Sequence, residues 1–225
     1  MTFENFVVGD GNNFAYSAAL AVANDISSQI YNPLFIYANP GLGKTHLVKA
    51  IGNKVLKRNE YLKVFYTTSR QLIQDYTTAV NNNLFDEFYK FYDEKDLLIF
   101  DDVNEDGFFY IYDRLSPECQ IVMTSRKSPG QMPHLEHRAR KMLNWGLIAD
   151  MHPLDRISRE TILLRTGTRL RAHVPMDIIY LIATRITDNI AKLEEALQRV
   201  IAVASISNGR IDKRTVLKVL KNLGY

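Results

Sequence analysis

Cysteine is almost absent. The single residue, Cys119, excludes an intramolecular disulfide and suits a reducing cytosol. Long apolar runs are missing too, since no stretch approaches the roughly 20 residues that cross a bilayer. The N-terminal MTFENFVVGDGNN lacks the basic start and apolar core of a signal peptide. Charge of one sign is scarce, and a net +3 is too small to argue for nucleic acid by itself. No Ser–His–Asp or Cys–His arrangement stands out. His134 and His137 have no further ligand at metal spacing nearby, so they read as surface imidazoles. Internal repeats and low-complexity tracts are also missing. These absences leave a cytoplasmic protein with no membrane segment.

What is present suits a compact fold. The 225 residues are 46% hydrophobic and 24% charged, enough for one large domain or a domain with a small appendage. Short apolar runs at 34–38, 62–68, 96–102, 120–125 and 146–151 read as strands covered on both faces. Helical patterns at 44–56, 69–81, 83–92, 108–115 and 134–143 alternate with them, as in an α/β fold with a parallel sheet. From 158 onward only helical segments follow, at 158–171, 176–186, 189–205 and 212–223, with Ile190, Leu193, Leu197 and Val200 at helical spacing. The expected division is an α/β nucleotide-binding core over 1–155 and a helical lid over 156–225.

The most informative feature is ANPGLGKT at 38–45, directly after LFIY. Gly41 and Gly43 let the backbone turn its N–H groups toward phosphate oxygens. Lys44 would reach the β and γ phosphates, and the Thr45 hydroxyl would join the shell of a bound Mg²⁺. The following helix adds positive potential at its start. Asn39, Pro40, Gly41, Leu42, Gly43, Lys44, Thr45 and His46 are therefore the candidate phosphate-binding residues. Glycine usually opens this pattern, and Ala38 is a modest departure. Asp101 and Asp102 end the apolar run LLIF, at the strand edge where ligands of open α/β sheets bind. Asp101 would hold the Mg²⁺ shell, and Asp102 could polarise an attacking water.

The stretches TFENFVVGDGNNFAYSAALAVA, YNPLFIYANPGLGKTHLVKAIGN, WGLIADMHPLDRISRETILL and NIAKLEEALQRVIA resemble the AAA+ ATPase domain of the bacterial replication initiator DnaA. The resemblance runs from about residue 2 to the C-terminus. It implies a P-loop core with a five-stranded parallel sheet in the order 5-1-4-3-2, a C-terminal helical lid, and ATP or ADP with Mg²⁺. By analogy Val7, Val8 and Asn13 line the adenine pocket. The family's helix-turn-helix and helicase-binding domains have no counterpart in these residues, so the layout resembles short AAA+-only relatives such as Hda. Partners implied are replication proteins (DnaA, the replicative helicase or the clamp) and a second copy of the chain. Sequence-specific duplex DNA is not expected.

Three charge-handling positions depart from the family pattern. Arg126 stands at the first sensor, Met142 at the arginine finger and Ala191 at the second sensor. Methionine cannot supply the finger's charge; Arg140 or Lys141 could substitute. The expected protein is a nucleotide-gated regulator or partner of the initiator with feeble hydrolysis. An active ATPase of helicase-loader type and the ATPase domain of a divergent initiator on single-stranded DNA are the alternatives. Phe85, Phe88, Tyr89, Phe91 and Tyr92 could stack bases, but the neighbouring acids favour packing on a core. The basic residues between 126 and 141 form a candidate anion-binding patch.

Overall fold

The computed structural model of the chain describes every residue except 104–105, 116–117, 133–142, 144–145 and 207–210. It divides into two compact units. One contains Met1–Phe6, Asn13–Asn39 and Lys44–Met151, the other Val7–Asn12, Pro40–Gly43 and His152–Tyr225.

The first unit is built on β1 (Leu34–Tyr37), β2 (Val64–Thr68), β3 (Leu97–Asp101), β4 (Gln120–Ser125) and β5 (Leu147–Asp150). All pairings are parallel, in the order β2-β3-β4-β1-β5. That is the expected 5-1-4-3-2 order counted from the other edge. Every residue of β3 and β4 is buried, which explains why their sequences are continuous apolar runs rather than alternating ones.

Alternate side chains serve the two faces. Phe35, Leu98, Phe100, Ile121 and Met123 join a cluster with Leu72, Phe88, Tyr92, Phe108 and Tyr112. These come from α3 (Ser69–Asn81), α4 (Phe85–Asp93) and α5 (Asp106–Tyr112). On the other face Ile99 meets α2 (Lys44–Arg58), where a Cβ at Gly52 would stand 3.2 Å from Ile99 Cδ1. Helix α1 (Asn13–Asn24) packs on α2, β1 and β5 and buries Ala15, Ala18, Ala19, Val22 and Ala23. A run of small residues at helical spacing carries little apolar contrast, and periodicity alone did not reveal this helix. The expected helix at 134–143 lies outside the described residues.

The aromatic run of α4 is partly core. Phe88 and Tyr92 are buried in the cluster, while Phe85 and Phe91 remain exposed and make edge contacts with Tyr76 and Phe65. Packing accounts for the positions of Phe88 and Tyr92. Thr68 closes the start of α3 by accepting a hydrogen bond from Gln71 N at 3.2 Å, satisfying one of the helix's first N–H groups.

Cys119 lies at the entry to β4, and burial pushes its thiol up to about 11. The thiolate is the reactive form. Iodoacetamide should therefore leave the native protein unmodified at pH 8 and label Cys119 once denaturant is added. Stoichiometric labelling of the native protein within minutes would contradict the burial.

The second unit consists of α6 (Arg156–Arg169), α7 (Met176–Arg185), α8 (Ile190–Ile206) and α9 (Lys213–Asn222) with the two upstream segments. Leu163, Ile179, Ile182, Leu193, Leu197, Val200 and Val216 are all fully buried in one apolar cluster. Asp155 and Asp212 cap α6 and α9, accepting from Ser158 N at 2.9 Å and Thr215 N at 2.7 Å. Those hydrogen bonds hold both carboxyls below their ordinary range. Among the described residues no helix is long and apolar enough to cross a membrane.

Candidate functional site

Strand β1 ends at Tyr37, and Ala38 N still donates to Ser125 O at 3.1 Å. The chain then turns through Gly41 (φ +82°) and Gly43 (φ +98°), conformations that cost glycine nothing and other residues of the order of 1 kcal/mol. Helix α2 begins at Lys44. Its ammonium folds back to donate to Ala38 O at 2.6 Å and Asn39 O at 3.1 Å. Only 8% of Lys44 is exposed. Burial lowers its pKa, against the opposing pull of Asp102 and Asp101. A phosphate oxygen is a stronger partner for this cation than a carbonyl.

Asp101 ends β3 and is 5% exposed. Its Oδ2 accepts from Thr45 Oγ1 and from Tyr66 Oη, both at 2.7 Å. Its Oδ1 accepts from the Thr124 hydroxyl. Three hydroxyls from α2, β2 and β4 thus fix one buried carboxylate. Burial and the Asp101 carboxylate push the Tyr66 phenol upward, so it remains a donor. Lys49 Nζ lies 4.5 Å from the centre of the same ring. Thr45 and Asp101 offer hard oxygen donors, the set Mg²⁺ takes when phosphates and waters complete its octahedron. The donor chemistry fits that ion.

Asp102 follows with φ +63°, a left-handed conformation that aspartate tolerates better than most residues. Its N–H donates to Thr124 Oγ1 at 2.9 Å, and its carbonyl accepts from Ser69 Oγ at 2.7 Å. The carboxylate meets Arg126 at two points, Nε to Oδ1 at 3.0 Å and a terminal guanidinium nitrogen to Oδ2 at 2.6 Å. The pairing raises the Arg126 pKa. Sequence reading singled out both residues but did not join them. The parallel register of β3 and β4, with Phe100 opposite Met123, is the signal that brings their ends together.

In the second unit, Val7–Asn12 forms a small loop around Asn12, which is 2% exposed. Gly9 N donates to Asn12 Oδ1 at 2.9 Å, and Asn12 Nδ2 donates to Val7 O at 3.0 Å. Val7 packs against the helical cluster, while Val8 is exposed. Asn13 is an exposed residue that opens α1. The buried asparagine of this loop is its neighbour, which sequence reading passed over. The Gly41 carbonyl accepts from Ile190 N at 2.9 Å and Ala191 N at 3.3 Å. A Cβ at Gly41 would collide with the Asn189 side chain, which caps α8 by accepting from Lys192 N at 3.0 Å.

Other expected residues divide as follows. Leu42 is buried and Asn39 and Pro40 are exposed. The His46 ring is engaged by Thr2 O at 2.9 Å and by Phe6, with centroids 5.3 Å apart. Arg140, Lys141 and Met142, like His134 and His137, lie outside the described residues.

A model of the bacterial DnaA ATPase domain matches residues 1–150. Domain III of the Thermotoga maritima replication initiation protein DnaA is similar at 33% identity and a TM-score of 0.90, over 98% of this chain and 95% of that one. A DnaA initiator bound to AMPPCP and single-stranded DNA matches at 29% identity and a TM-score of 0.77. That match covers 88% of this chain but 63% of the initiator. The Thermotoga maritima RuvB branch-migration motor matches at 15% identity and a TM-score of 0.70, over 99% of this chain and 72% of RuvB, a likeness of fold alone.

Proposed function

The chain belongs to the family of bacterial DnaA ATPase domains, and from that premise we propose that it binds ATP or ADP with Mg²⁺ and acts in replication initiation or its regulation. The observation that carries this reading is the meeting of Lys44, Thr45 and Asp101 at the carboxyl edge of β1 and β3. Lys44 supplies charge to the phosphates, and the Gly41–Gly43 turn supplies N–H groups. Thr45 and Asp101 are the metal ligands, Asp101 acting directly or through water. A magnesium ion held there would draw charge from the β and γ phosphoryl oxygens. Asn39, Pro40, Leu42 and His46 flank the phosphates, and Val7, Val8 and Asn13, with Asn12 added, belong to the adenine side. The division into a core over 1–155 and a lid over 156–225 is part of the same proposal.

Function would follow from assembly rather than from rapid chemistry. The partners are replication proteins (the initiator, the replicative helicase or the clamp) or a second copy of this chain, and the setting is the cytoplasm. The related initiator bound to AMPPCP supports adenine as the base. Sedimentation of the protein with Mg·ATP, Mg·ADP or no nucleotide tests the reading, because assembly should differ between the first two. Identical profiles in all three, together with no heat of nucleotide binding, would remove it. The single-stranded DNA alternative has its own arm: ATP-dependent retention of an oligonucleotide would favour it.

Duplex DNA should behave differently. With a net charge of +3 and all four helices of the second unit packed into one apolar cluster, no sequence preference for initiator boxes is expected. Residual binding should fall steeply with salt. A sequence-specific gel shift at physiological salt would contradict this.

A further inference from the structure

Two adjacent carboxylates end β3, yet they live in opposite surroundings. Asp101 is buried among three hydroxyls, whereas Asp102 is held by a guanidinium. Both oxygens of Asp102 accept from Arg126, so the residue expected to orient an attacking water already carries a cation across its carboxylate. The fork geometry gives such a pair direction as well as attraction. The backbone supports it: Thr124 and Ser69 pin the N–H and the carbonyl of Asp102 in a left-handed conformation. Arg126 stands one residue beyond the end of β4; burial is the main cause of the lowered Lys44 pKa, and Asp102 and, to a smaller extent, Arg126 also act on it. The pair therefore sits within electrostatic reach of the phosphate cation.

We propose that Arg126 is a positioning residue that withholds Asp102 from the nucleotide, offsetting its charge toward phosphate and fixing its carboxylate away from an attacking water. The inference rests on the nucleotide-binding reading above. In hydrolysis the water oxygen bonds to the γ phosphorus, and the bond from that phosphorus to the β–γ bridging oxygen breaks. Its electron pair leaves with the diphosphate, and the water's proton passes through a nearby acceptor to solvent. Asp102, one residue past the end of β3, is the acceptor assigned to that proton, because the Asp101 carboxylate is taken by three hydroxyls. Removal of Arg126 has two consequences of opposite sign. A carboxylate relieved of its guanidinium then repels the phosphates more strongly and weakens binding, while the same carboxylate becomes more available to water and speeds turnover.

That opposition is the diagnostic. Isothermal calorimetry with Mg·ADP and Mg·ATP, alongside single-turnover hydrolysis of ATP, should be run on the full chain, Arg126→Ala, Arg126→Gln, Arg126→Lys and the double variant Arg126→Ala/Asp102→Asn. In Arg126→Ala and Arg126→Gln, affinity for both nucleotides should fall about two- to fivefold, the scale of one exposed charge pair. The single-turnover rate should rise about tenfold to a hundredfold, at or below the low end of what a positioned base supplies. Arg126→Lys should keep most of the affinity, and the double variant should regain affinity and lose the gain in rate. A merely structural role would lower affinity and rate together, and that result overturns the proposal, as does no change in either. Failure of the unmodified protein to bind either nucleotide would instead overturn the functional reading and this inference with it.

Discussion

Replacing Lys44 by alanine is expected to weaken ATP binding by about tenfold to a hundredfold in calorimetry. The estimate takes a charge-assisted hydrogen bond as worth roughly 1.5–3 kcal/mol. The side chain already points its ammonium at the turn, with two carbonyls as partners. Phosphate oxygens would replace those carbonyls without a large rearrangement. Unchanged affinity in Lys44→Ala would sink the nucleotide reading. Stability should respond with the opposite sign. Burial is the largest influence on the Lys44 pKa and lowers it, so the folded state disfavours the charged form. The unfolded chain then binds the proton more tightly in the window just below the ordinary lysine value. That cost is fully present at neutral pH and is relieved as pH rises through the window. Lys44→Met, which fills the same space without the charge, should leave the melting temperature of the nucleotide-free protein unchanged or raised while abolishing binding. A loss of binding that came with a collapse in melting temperature would show that the lysine is structural.

Turnover by the unmodified protein is expected to lie at least about a hundredfold below the roughly 1–100 s⁻¹ of dedicated phosphoryl-transfer enzymes. Arginine fingers are worth about 10³–10⁵ in related chemistry, and the family resemblance would put Met142 at that position. Ala191, which the resemblance would put at the second sensor, is an exposed residue in the first turn of α8, so arginine can be placed there without disturbing the buried cluster. Groups of this kind act on charge that develops in the transition state, so their loss lowers rate far more than affinity. Met142→Arg with Ala191→Arg should raise turnover by more than the product of the single effects, because both groups would act on one phosphoryl group. Turnover already at 1–100 s⁻¹ would defeat the regulator reading and make Arg140 or Lys141 the leading finger candidates.

The strands were legible because full burial leaves a mark: Leu97–Asp101 and Gln120–Ser125 are buried on both faces, and their centres are unbroken apolar runs. Their order was not legible from periodicity and came only with the family resemblance. The helix Asn13–Asn24 escaped because alanine fills its buried face. Lys44, Thr45 and Asp101 were legible, two from local spacing and one from its place at a strand end. Tyr66 and Thr124, 35 and 23 residues from Asp101, became visible only when parallel pairing set β2, β3 and β4 side by side. Asn12 was hidden by the asparagine beside it, since burial alone separates the two.

The division of the chain carries a consequence for anyone trimming it. The backbone passes between the units at Phe6/Val7, Asn12/Asn13, Asn39/Pro40, Gly43/Lys44 and Met151/His152. A stop codon after 151 would therefore not deliver the first unit alone. It would deliver that unit with two orphaned segments. The Gly11 carbonyl would lose His152 N, the Gly41 carbonyl would lose Ile190 N and Ala191 N, and Val7 would lose its apolar neighbours. Both carbonyls would turn to water, and the loop that presents Gly41 would be freed just where it has to be rigid. The last third of the sequence is thus needed to shape a motif that ends at residue 45, and genetic dissection of this protein should proceed by substitution rather than deletion.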